Sequence, residues 1–202
     1  PYCNAEDLTT MELEDIDKEL CDSELDHFYP RKLFPYLAIS LYNLIPSGTL
    51  CNGGNCKHEK DTYKEGLTNL FELNGSEGIE FAMDIKGKGI LSYDTFERSV
   101  EIETKVVDDE LKDNCRIFLL KSRYRKEKSQ ALRIWMMHKE CEAEGYRKMV
   151  EQKGRSLGTT MDFEKWFAAE TGINTKNYND HKLSKMSMDI WRQLEEIRKV
   201  YV

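Results

Sequence analysis

The sequence predicts an α+β fold in which a small antiparallel sheet of three or four strands is flanked by helical N- and C-terminal halves. Two patterns indicate this class: apolar residues recur at helical spacing in both halves, and a short central stretch alternates strictly. Apolar residues make up 40% of the 202 positions, which excludes disordered and low-complexity proteins. No apolar run approaches the roughly 20 residues of a membrane span.

The N-terminal half, residues 1–75, is expected to be helical. Residues 7–26 carry apolar side chains at helical spacing within an acidic stretch, which indicates an acidic helix. Leu33–Ile45 is apolar on most faces and is followed by Pro46, so it is expected to be the central buried helix. Asp61–Leu73 is amphipathic and predicts a third helix.

The apolar period changes from about 3.6 to 2 in residues 76–121, where the sheet is expected. Ile79–Ile85 and Ile90–Phe96 flank a glycine-rich turn and predict a hairpin. Ser99–Val107 has the cleanest alternation in the chain and predicts the next strand. Cys115–Leu120 fits either a fourth strand or the start of a helix.

The C-terminal half, residues 122–202, is again expected to be helical. A long helix is predicted over Arg125–Val150, followed by a Gly/Ser/Thr loop at 154–160 and two further helices, Asp162–Thr171 and Ser184–Val200. The chain carries no internal repeat, and residues 1–202 are expected to form a single domain.

Charge is unevenly distributed. Residues 1–27 hold ten acidic residues and one basic residue, a formal charge of −9 in a chain whose total is −7. The remainder is therefore mildly basic, and its densest basic run is Lys121–Lys128. An acidic N-terminal segment followed by a mildly basic chain is compatible with nucleic-acid binding, but solvated helix faces are the favoured interpretation.

Six cysteines are few for a disulfide scaffold of this length, and reduced thiols are favoured. Cys51, Cys56 and His58 have a spacing that could hold half of a zinc site. His138 and Cys141 fall one helical turn apart and could supply the other half. The alternative for Cys51 and Cys56 is a glycine-rich surface turn with two reduced thiols.

The predicted strands carry the residues of a metal-dependent nuclease. Such enzymes bring two or three carboxylates to a divalent cation beside a lysine, and acid-x-Lys on a strand places both side chains on one face. Glu103 and Lys105 meet this pattern, with Glu101 on the same face. Asp84 and Asp94, expected on the two preceding strands, are candidates for the first acid. A second acid-x-Lys, Asp84-Ile-Lys86, abuts the turn.

The segment Asp84–Phe96 also resembles an EF-hand calcium loop, with glycine at its sixth position. Lysines stand at the third and fifth positions, where oxygen ligands belong, and Thr95 replaces the bidentate glutamate. Because two positive charges would repel Ca²⁺, the hairpin is the favoured interpretation.

Several short motifs resemble the N-terminal endonuclease domain of arenavirus L proteins, the cap-snatching nuclease of segmented negative-strand RNA viruses. Pro30-Arg31 opens an apolar segment, and Cys51-Asn-x-x-x-Cys56-x-His58 follows it. Phe81-Ala-Met-Asp84 then precedes a glycine turn and an acid-bearing strand, and Tyr178-Asn-Asp-His181 is similar to a stretch near the end of that domain. The agreement in order and spacing covers roughly residues 30–107.

The resemblance implies a PD-(D/E)xK nuclease-like domain of a larger viral polymerase chain that cuts RNA in the host cytoplasm with Mn²⁺ or Mg²⁺. Asp84 and Glu103 would hold the metal, with Glu101 and Asp94 in reserve, and Lys105 would be the catalytic lysine. Glu97 and Lys112 are the alternatives for the second acid and the lysine. The chain departs from the family at 45–48, which lacks a glutamate, and at Met83, which replaces a proline; both departures imply weakened metal binding.

Bare carboxylates repel phosphates, so an RNA-cleaving site needs cationic surface beside it. The side chains expected to contact the backbone of single-stranded RNA are Arg123, Arg125, Lys126 and Lys128. A rival hypothesis is a non-enzymatic helical interaction module whose acidic N-terminal segment meets a basic partner.

Overall fold

The computed structural model describes residues 2–6, 10–13, 18–21, 23–73, 78–86, 92–142, 145–156, 171 and 182–201. Helices and strands both occur within these ranges, which confirms the α+β class. The chain divides into two compact units. The first comprises Pro1–Ile79 and Val106–Arg123, and the second comprises Glu80–Lys105 and Tyr124–Val202. That residues 1–202 form a single domain stays a prediction.

The strands and helices of the described ranges are short in the first half of the chain and longer in the second. In chain order they are β1 (Thr10–Leu13), β2 (Lys18–Cys21), β3 (Glu24–His27), β4 (Leu44–Ser47), α1 (Thr49–Asn52), β5 (Ile79–Ile85), α2 (Tyr93–Ser99), β6 (Val100–Val106), α3 (Lys112–Ile117), α4 (Leu120–Tyr124), α5 (Lys128–Glu142), α6 (Tyr146–Ser156) and α7 (Ser184–Tyr201). Short 3₁₀ turns lie at Pro35–Leu37, Leu41–Asn43, Leu70–Glu72 and Asp109–Leu111.

The predicted acidic helix over 7–26 is wrong, because strands occupy the described part of this segment. β1 pairs antiparallel with β2, and β3 pairs antiparallel with β4. In β3 the inward side chain is Asp26, which is 4% exposed. Its carboxylate accepts hydrogen bonds from the Tyr2 hydroxyl at 2.6 Å and the Lys57 ammonium at 2.8 Å. These two donors satisfy an acid that would otherwise be too costly to bury.

The predicted buried helix Leu33–Ile45 is also wrong. The segment makes two 3₁₀ turns and then enters β4. Asn43, which is 2% exposed, holds this course by bonding backbone groups at both ends of the loop. Its side chain accepts from the Tyr29 amide at 2.6 Å and donates to the carbonyls of Tyr29 and Leu37 at 3.1 and 3.0 Å. A helix would lack these long-range bonds.

Asp61–Leu73, predicted to be a helix, forms turns and one 3₁₀ segment instead. Gly66 adopts a φ of +72°, a conformation that stops a right-handed helix. The predictions of helices over 7–26, Leu33–Ile45 and Asp61–Leu73 fail together, so the described part of residues 1–75 is not the helical layer expected from the sequence.

The sheet of the second unit has two strands rather than three or four in the described residues. β5 and β6 confirm two predicted strands, whereas the predicted strand Ile90–Phe96 is wrong because Tyr93–Ser99 forms α2. The outer edge of β5 is covered by side chains of α7. Asp189 accepts from the Phe81 amide at 3.0 Å, and Gln193 bonds both backbone groups of Met83 at 2.8 and 2.9 Å. These bonds replace those of a neighbouring strand.

The long helix predicted over Arg125–Val150 is divided into α5 and α6, because Gly145 has a φ of +86°. The last predicted helix, Ser184–Val200, is confirmed as α7. Of the predicted helix Asp162–Thr171, only Thr171 lies within the described residues. Ile134 on α5 and Ile190 on α7 are fully buried in the core of this unit.

Cys115–Leu120, for which the sequence left two structures open, is helical. α3 ends at Ile117 and α4 begins at Leu120, with Leu119 between them at a φ of +54°. In the first unit, Phe118 is fully buried and stacks on Tyr2 at a ring distance of 4.3 Å. In the second unit, Tyr124 stacks on Phe81 at 4.0 Å.

Candidate functional site

The β5–β6 pair determines where the predicted catalytic residues lie. The Lys86 amide donates to the Ser99 carbonyl at 2.6 Å, and the Val107 amide donates to the Gly78 carbonyl at 2.9 Å. Both strands span the same number of residues between these bonds, so they run antiparallel without a bulge. This register places Asp84 directly opposite Glu101.

The two faces of the pair differ sharply. One face carries buried apolar side chains, namely Phe81, Met83, Val100 and Ile102. The other face, here called the acidic face, carries Glu80, Asp84, Glu101, Glu103 and Lys105. Because residues opposite each other on one face have Cβ atoms about 5 Å apart, Asp84 and Glu101 are near neighbours, and Glu103 is diagonal to Asp84.

A lysine that the sequence ranked second lies among these acids. Lys86 Nζ is 2.5 Å from Glu101 Oε2. The hydrogen bond to Glu101 raises the pKa of Lys86, and the charges of Asp84 and Glu103 raise it further. The pKa of Glu101 is lowered, first by the bond from Lys86 and also by the charges of Arg125 and Lys128. Three cations, Lys86, Arg125 and Lys128, therefore act electrostatically on Glu101.

The remaining predicted site residues are not neighbours of Asp84 and Glu101 in the strand register. Lys105 is opposite Glu80 in the register, two residues beyond Glu103 on β6, and is exposed. Asp94 was expected on a strand but lies exposed on α2. Glu97, an alternative acid, is exposed on the same helix, and Lys112, an alternative lysine, belongs to α3 of the first unit.

The side chains of the basic run differ in their exposure and in their partners. Arg125 and Lys126 are exposed, and Lys128 donates to the Glu97 carbonyl at 2.6 Å. Arg123 is different: its side chain is 16% exposed and lies 2.7 Å from the Glu6 carboxylate. Glu6 and two thiols hold the Arg123 guanidinium inside the first unit, so the surroundings of Arg123 differ from those of the other three residues, and its contact with RNA stays a prediction.

Divalent cations such as Mn²⁺ and Mg²⁺ prefer carboxylate oxygens, so the donors of the acidic face fit them chemically. The carboxylate oxygens of the acidic face are too far apart, as they stand, to bind one cation together. Among the described residues, a single group brings three possible ligand atoms within 4.8 Å of one another, and it is Cys3, Glu6 and Cys51. Asp84, Glu101 and Glu103 must turn toward each other to share a cation.

This cysteine group overlaps the predicted half zinc site only at Cys51. His58 has a φ of +45° and lines a cavity of about 340 Å³ together with His27 and Arg31. The proposed second half is engaged elsewhere, since His138 Nε2 lies 2.9 Å from Glu195 Oε1 within the second unit. Sequence spacing missed Cys3 and Glu6 because they lie more than 40 residues before Cys51 and share no local motif with it.

The comparisons with known proteins found no match: no family model, no curated protein and no solved structure resembles the chain at a significant level. In the part of the chain that the structure describes, none of the helices has the length and apolar character needed to span a membrane.

Proposed function

We propose that the chain is a divalent-metal-dependent RNA endonuclease whose metal site is the acidic face. The observation that carries the proposal is the β5–β6 register, which sets Asp84 opposite Glu101, with Glu103 on the same face and Lys86 among them. Three carboxylates and a lysine on one rigid strand pair supply the groups that metal-dependent phosphodiester hydrolysis requires.

Each side chain has a distinct role in this proposal. Asp84, Glu101 and Glu103 offer the oxygen ligands, and the bound cation would polarise the phosphate and lower the pKa of the attacking water. Lys86 is better positioned than Lys105 to stabilise the charge that develops on the phosphate, because it already contacts Glu101. The catalytic lysine proposed from the geometry is therefore Lys86, with Lys105 as the alternative from the sequence.

The substrate class follows from the surrounding charge. Arg125 and Lys128 act electrostatically on Glu101, so their positive charge offsets part of the repulsion between the carboxylates and a phosphate backbone. The contacts are to backbone rather than to base edges, because the basic run carries lysine and arginine with a single aromatic residue, the buried Tyr124. The finer proposal, cap-snatching by a domain of a larger viral polymerase chain, rests on the resemblance of the sequence motifs.

Cleavage of a 5′-labelled single-stranded RNA in Mn²⁺ tests the proposal. The chain is expected to release defined fragments in Mn²⁺ and none with chelator, and Lys86→Met is expected to lower the rate at least tenfold. Lys64→Met, which changes an exposed lysine of the first unit, is the matched control and should retain the wild-type rate. Cleavage that survives both Lys86→Met and Asp84→Asn would show a contaminating nuclease and overturn the proposal.

One observation favours the rival function, a non-enzymatic interaction module. The loop that was predicted to be a buried helix exposes large apolar side chains: Tyr36 at 75%, Ile39 at 94%, Leu41 at 74% and Tyr42 at 70%. Exposed apolar side chains close together in the sequence favour a contact surface for another protein segment. This function predicts that Ile39→Asp disrupts association while the acidic-face variants have no effect.

A further inference from the structure

Three thiols that the proposed function does not use meet around one arginine in the first unit. Cys3, Cys51 and Cys56 are 7%, 1% and 2% exposed. All six cysteines lie within the described residues, and no disulfide joins any of them. The Sγ atoms of Cys3 and Cys51 and a carboxylate oxygen of Glu6 lie within 4.8 Å of one another. Two sulfurs and one oxygen therefore converge from sequence positions that are far apart.

The backbone around Gly48 builds this cluster. Gly48 precedes α1, and its carbonyl accepts the Cys51 amide at 3.0 Å, which fixes the position of Cys51 on the short helix. A Cβ atom at Gly48 would overlap the Glu6 carboxylate. The absence of a Cβ atom at Gly48 lets the Glu6 carboxylate pack against the backbone that precedes α1.

Arg123 supplies the counter-charge. Its guanidinium lies 2.7 Å from Glu6 Oε1, 3.9 Å from Cys3 Sγ and 3.5 Å from Cys56 Sγ. A thiolate is the form of cysteine that binds metals, and a nearby cation stabilises it.

We propose that Cys3, Cys51 and Glu6 bind one Zn²⁺ ion. Zinc accepts mixed sulfur and oxygen ligands in tetrahedral geometry with Zn–S bonds of about 2.3 Å, which sets neighbouring ligand sulfurs about 3.8 Å apart. The three ligand atoms need only small movements to reach that spacing. The fourth position takes water, which has access beside Glu6, whose side chain is 20% exposed.

Charge balance selects these three ligands over a set that adds Cys56. Two thiolates and one carboxylate carry three negative charges, which Zn²⁺ and the Arg123 guanidinium neutralise. A Cys56 thiolate would leave an uncompensated charge in a buried site, which is costly. Cys56 therefore stays outside the ligand set, and Arg123 acts as an outer hydrogen-bond donor that orients Glu6.

This site differs from the acidic face in ligand chemistry. Thiolates favour Zn²⁺ over Mn²⁺ and Mg²⁺, whereas carboxylates alone favour the harder cations. The two proposals can therefore fail independently. Zn²⁺ bound through sulfur absorbs only in the far ultraviolet, where the protein itself absorbs, but Co²⁺ in the same site gives sulfur-to-metal charge-transfer bands in the near ultraviolet that report thiolate ligands directly.

Titration of the reduced, metal-free chain with Co²⁺ tests the proposal. One equivalent is expected to produce charge-transfer absorption, Zn²⁺ should displace it, and excess Mn²⁺ should not. Cys3→Ser and Cys51→Ser should each abolish the absorption, and Glu6→Gln should weaken binding at least tenfold. Cys21→Ser, Cys115→Ser and Cys56→Ser are the controls and should retain it.

Three results would overturn the zinc site. The first is absence of charge-transfer absorption in the reduced wild-type chain, and the second is its persistence in both Cys3→Ser and Cys51→Ser. The third is formation of a Cys3–Cys51 disulfide without any metal binding by the reduced form. Should a serine variant fail to fold, judged by circular dichroism, the wild-type titration and Glu6→Gln still decide the question.

Discussion

Lys86 Nζ lies 2.5 Å from Glu101 Oε2, on the strand pair where Asp84 stands opposite the same glutamate. In the proposed metal site, the lysine and a divalent cation would therefore compete for the Glu101 carboxylate. Replacement of Lys86 should therefore change the affinity for the cation, whereas replacement of a lysine in a surface ion pair outside a metal site should not.

Lys86→Gln is expected to tighten Mn²⁺ binding several-fold while it lowers RNA cleavage, because it frees Glu101 and removes the charge that acts on the phosphate. Calorimetric titration with Mn²⁺ and the cleavage assay measure the two effects. Lys105→Gln is the control and should leave Mn²⁺ affinity within twofold of wild type. If affinity and cleavage both fall in Lys86→Gln, Lys86 supports the fold of the site rather than competing within it.

The double variant Arg125→Glu/Lys126→Glu is expected to weaken binding of single-stranded RNA and to reduce its salt dependence, because each lost phosphate contact lowers the salt slope by roughly 0.7. Fluorescence anisotropy at several salt concentrations measures both quantities. The matched control, Lys32→Glu/Lys64→Glu, makes the same charge change on exposed lysines of the first unit. If both double variants lose RNA affinity equally, the loss reflects the net charge of the chain and not a specific contact of the basic run.

Lys57→Met is expected to destabilise the chain by about 3–5 kcal/mol, because it leaves the buried Asp26 carboxylate without its charged partner. Burial lowers the pKa of Lys57, opposed by Asp26. The double variant Asp26→Leu/Lys57→Met should recover part of this loss, as judged by urea unfolding. If the double variant loses as much unfolding free energy as the two single variants together, Asp26 and Lys57 are not energetically coupled.

Asp189 gives a pH-dependent prediction. Burial raises the pKa of its carboxyl above the ordinary 3.8 in the folded state, although Lys185 and the Phe81 amide oppose the shift. The native state then binds more protons than the unfolded state just above pH 3.8, so this contribution to stability falls as pH rises through the folded pKa. Asp189→Asn removes the contribution.

The measurement is the difference in unfolding free energy between wild type and Asp189→Asn across acidic pH. The wild type should lose stability relative to the variant as pH rises from just below 3.8. Asp109→Asn, at an exposed position of the first unit, is the control for the removal of one carboxyl group. A difference of opposite slope would mean that Lys185 outweighs burial.

The parts of the fold that sequence predicted are those where apolar periodicity matches burial. Val100 and Ile102 face inward from β6 at a spacing of two, and α7 buries Met186 and Ile190 at helical spacing. The N-terminal half was mispredicted because β3 reverses the usual pattern. Its inward residue is Asp26 and its outward residue is Leu25, which is 63% exposed, so hydrophobicity gave the wrong signal.

The candidate site was predictable only in part, because a local sequence pattern specifies which residues share a strand face but not which distant residues meet. Glu101, Glu103 and Lys105 share a face because strand periodicity requires it. The contact between Lys86 and Glu101 depends on the register of β5 against β6, which no local pattern specifies. The cluster of Cys3, Glu6 and Cys51 depends on contacts between distant segments, which no spacing rule captures.

The most direct test of the metal-dependent function is the change in melting temperature of the full chain in millimolar Mn²⁺. A cation that binds only the native state stabilises it, so wild type should melt at a higher temperature with Mn²⁺. Asp84→Asn/Glu103→Gln should abolish the shift, while the exposed pair Asp109→Asn/Glu110→Gln of the first unit should retain it. An unshifted wild type, or a shift that survives in Asp84→Asn/Glu103→Gln, would contradict the assignment of the acidic face as a metal site.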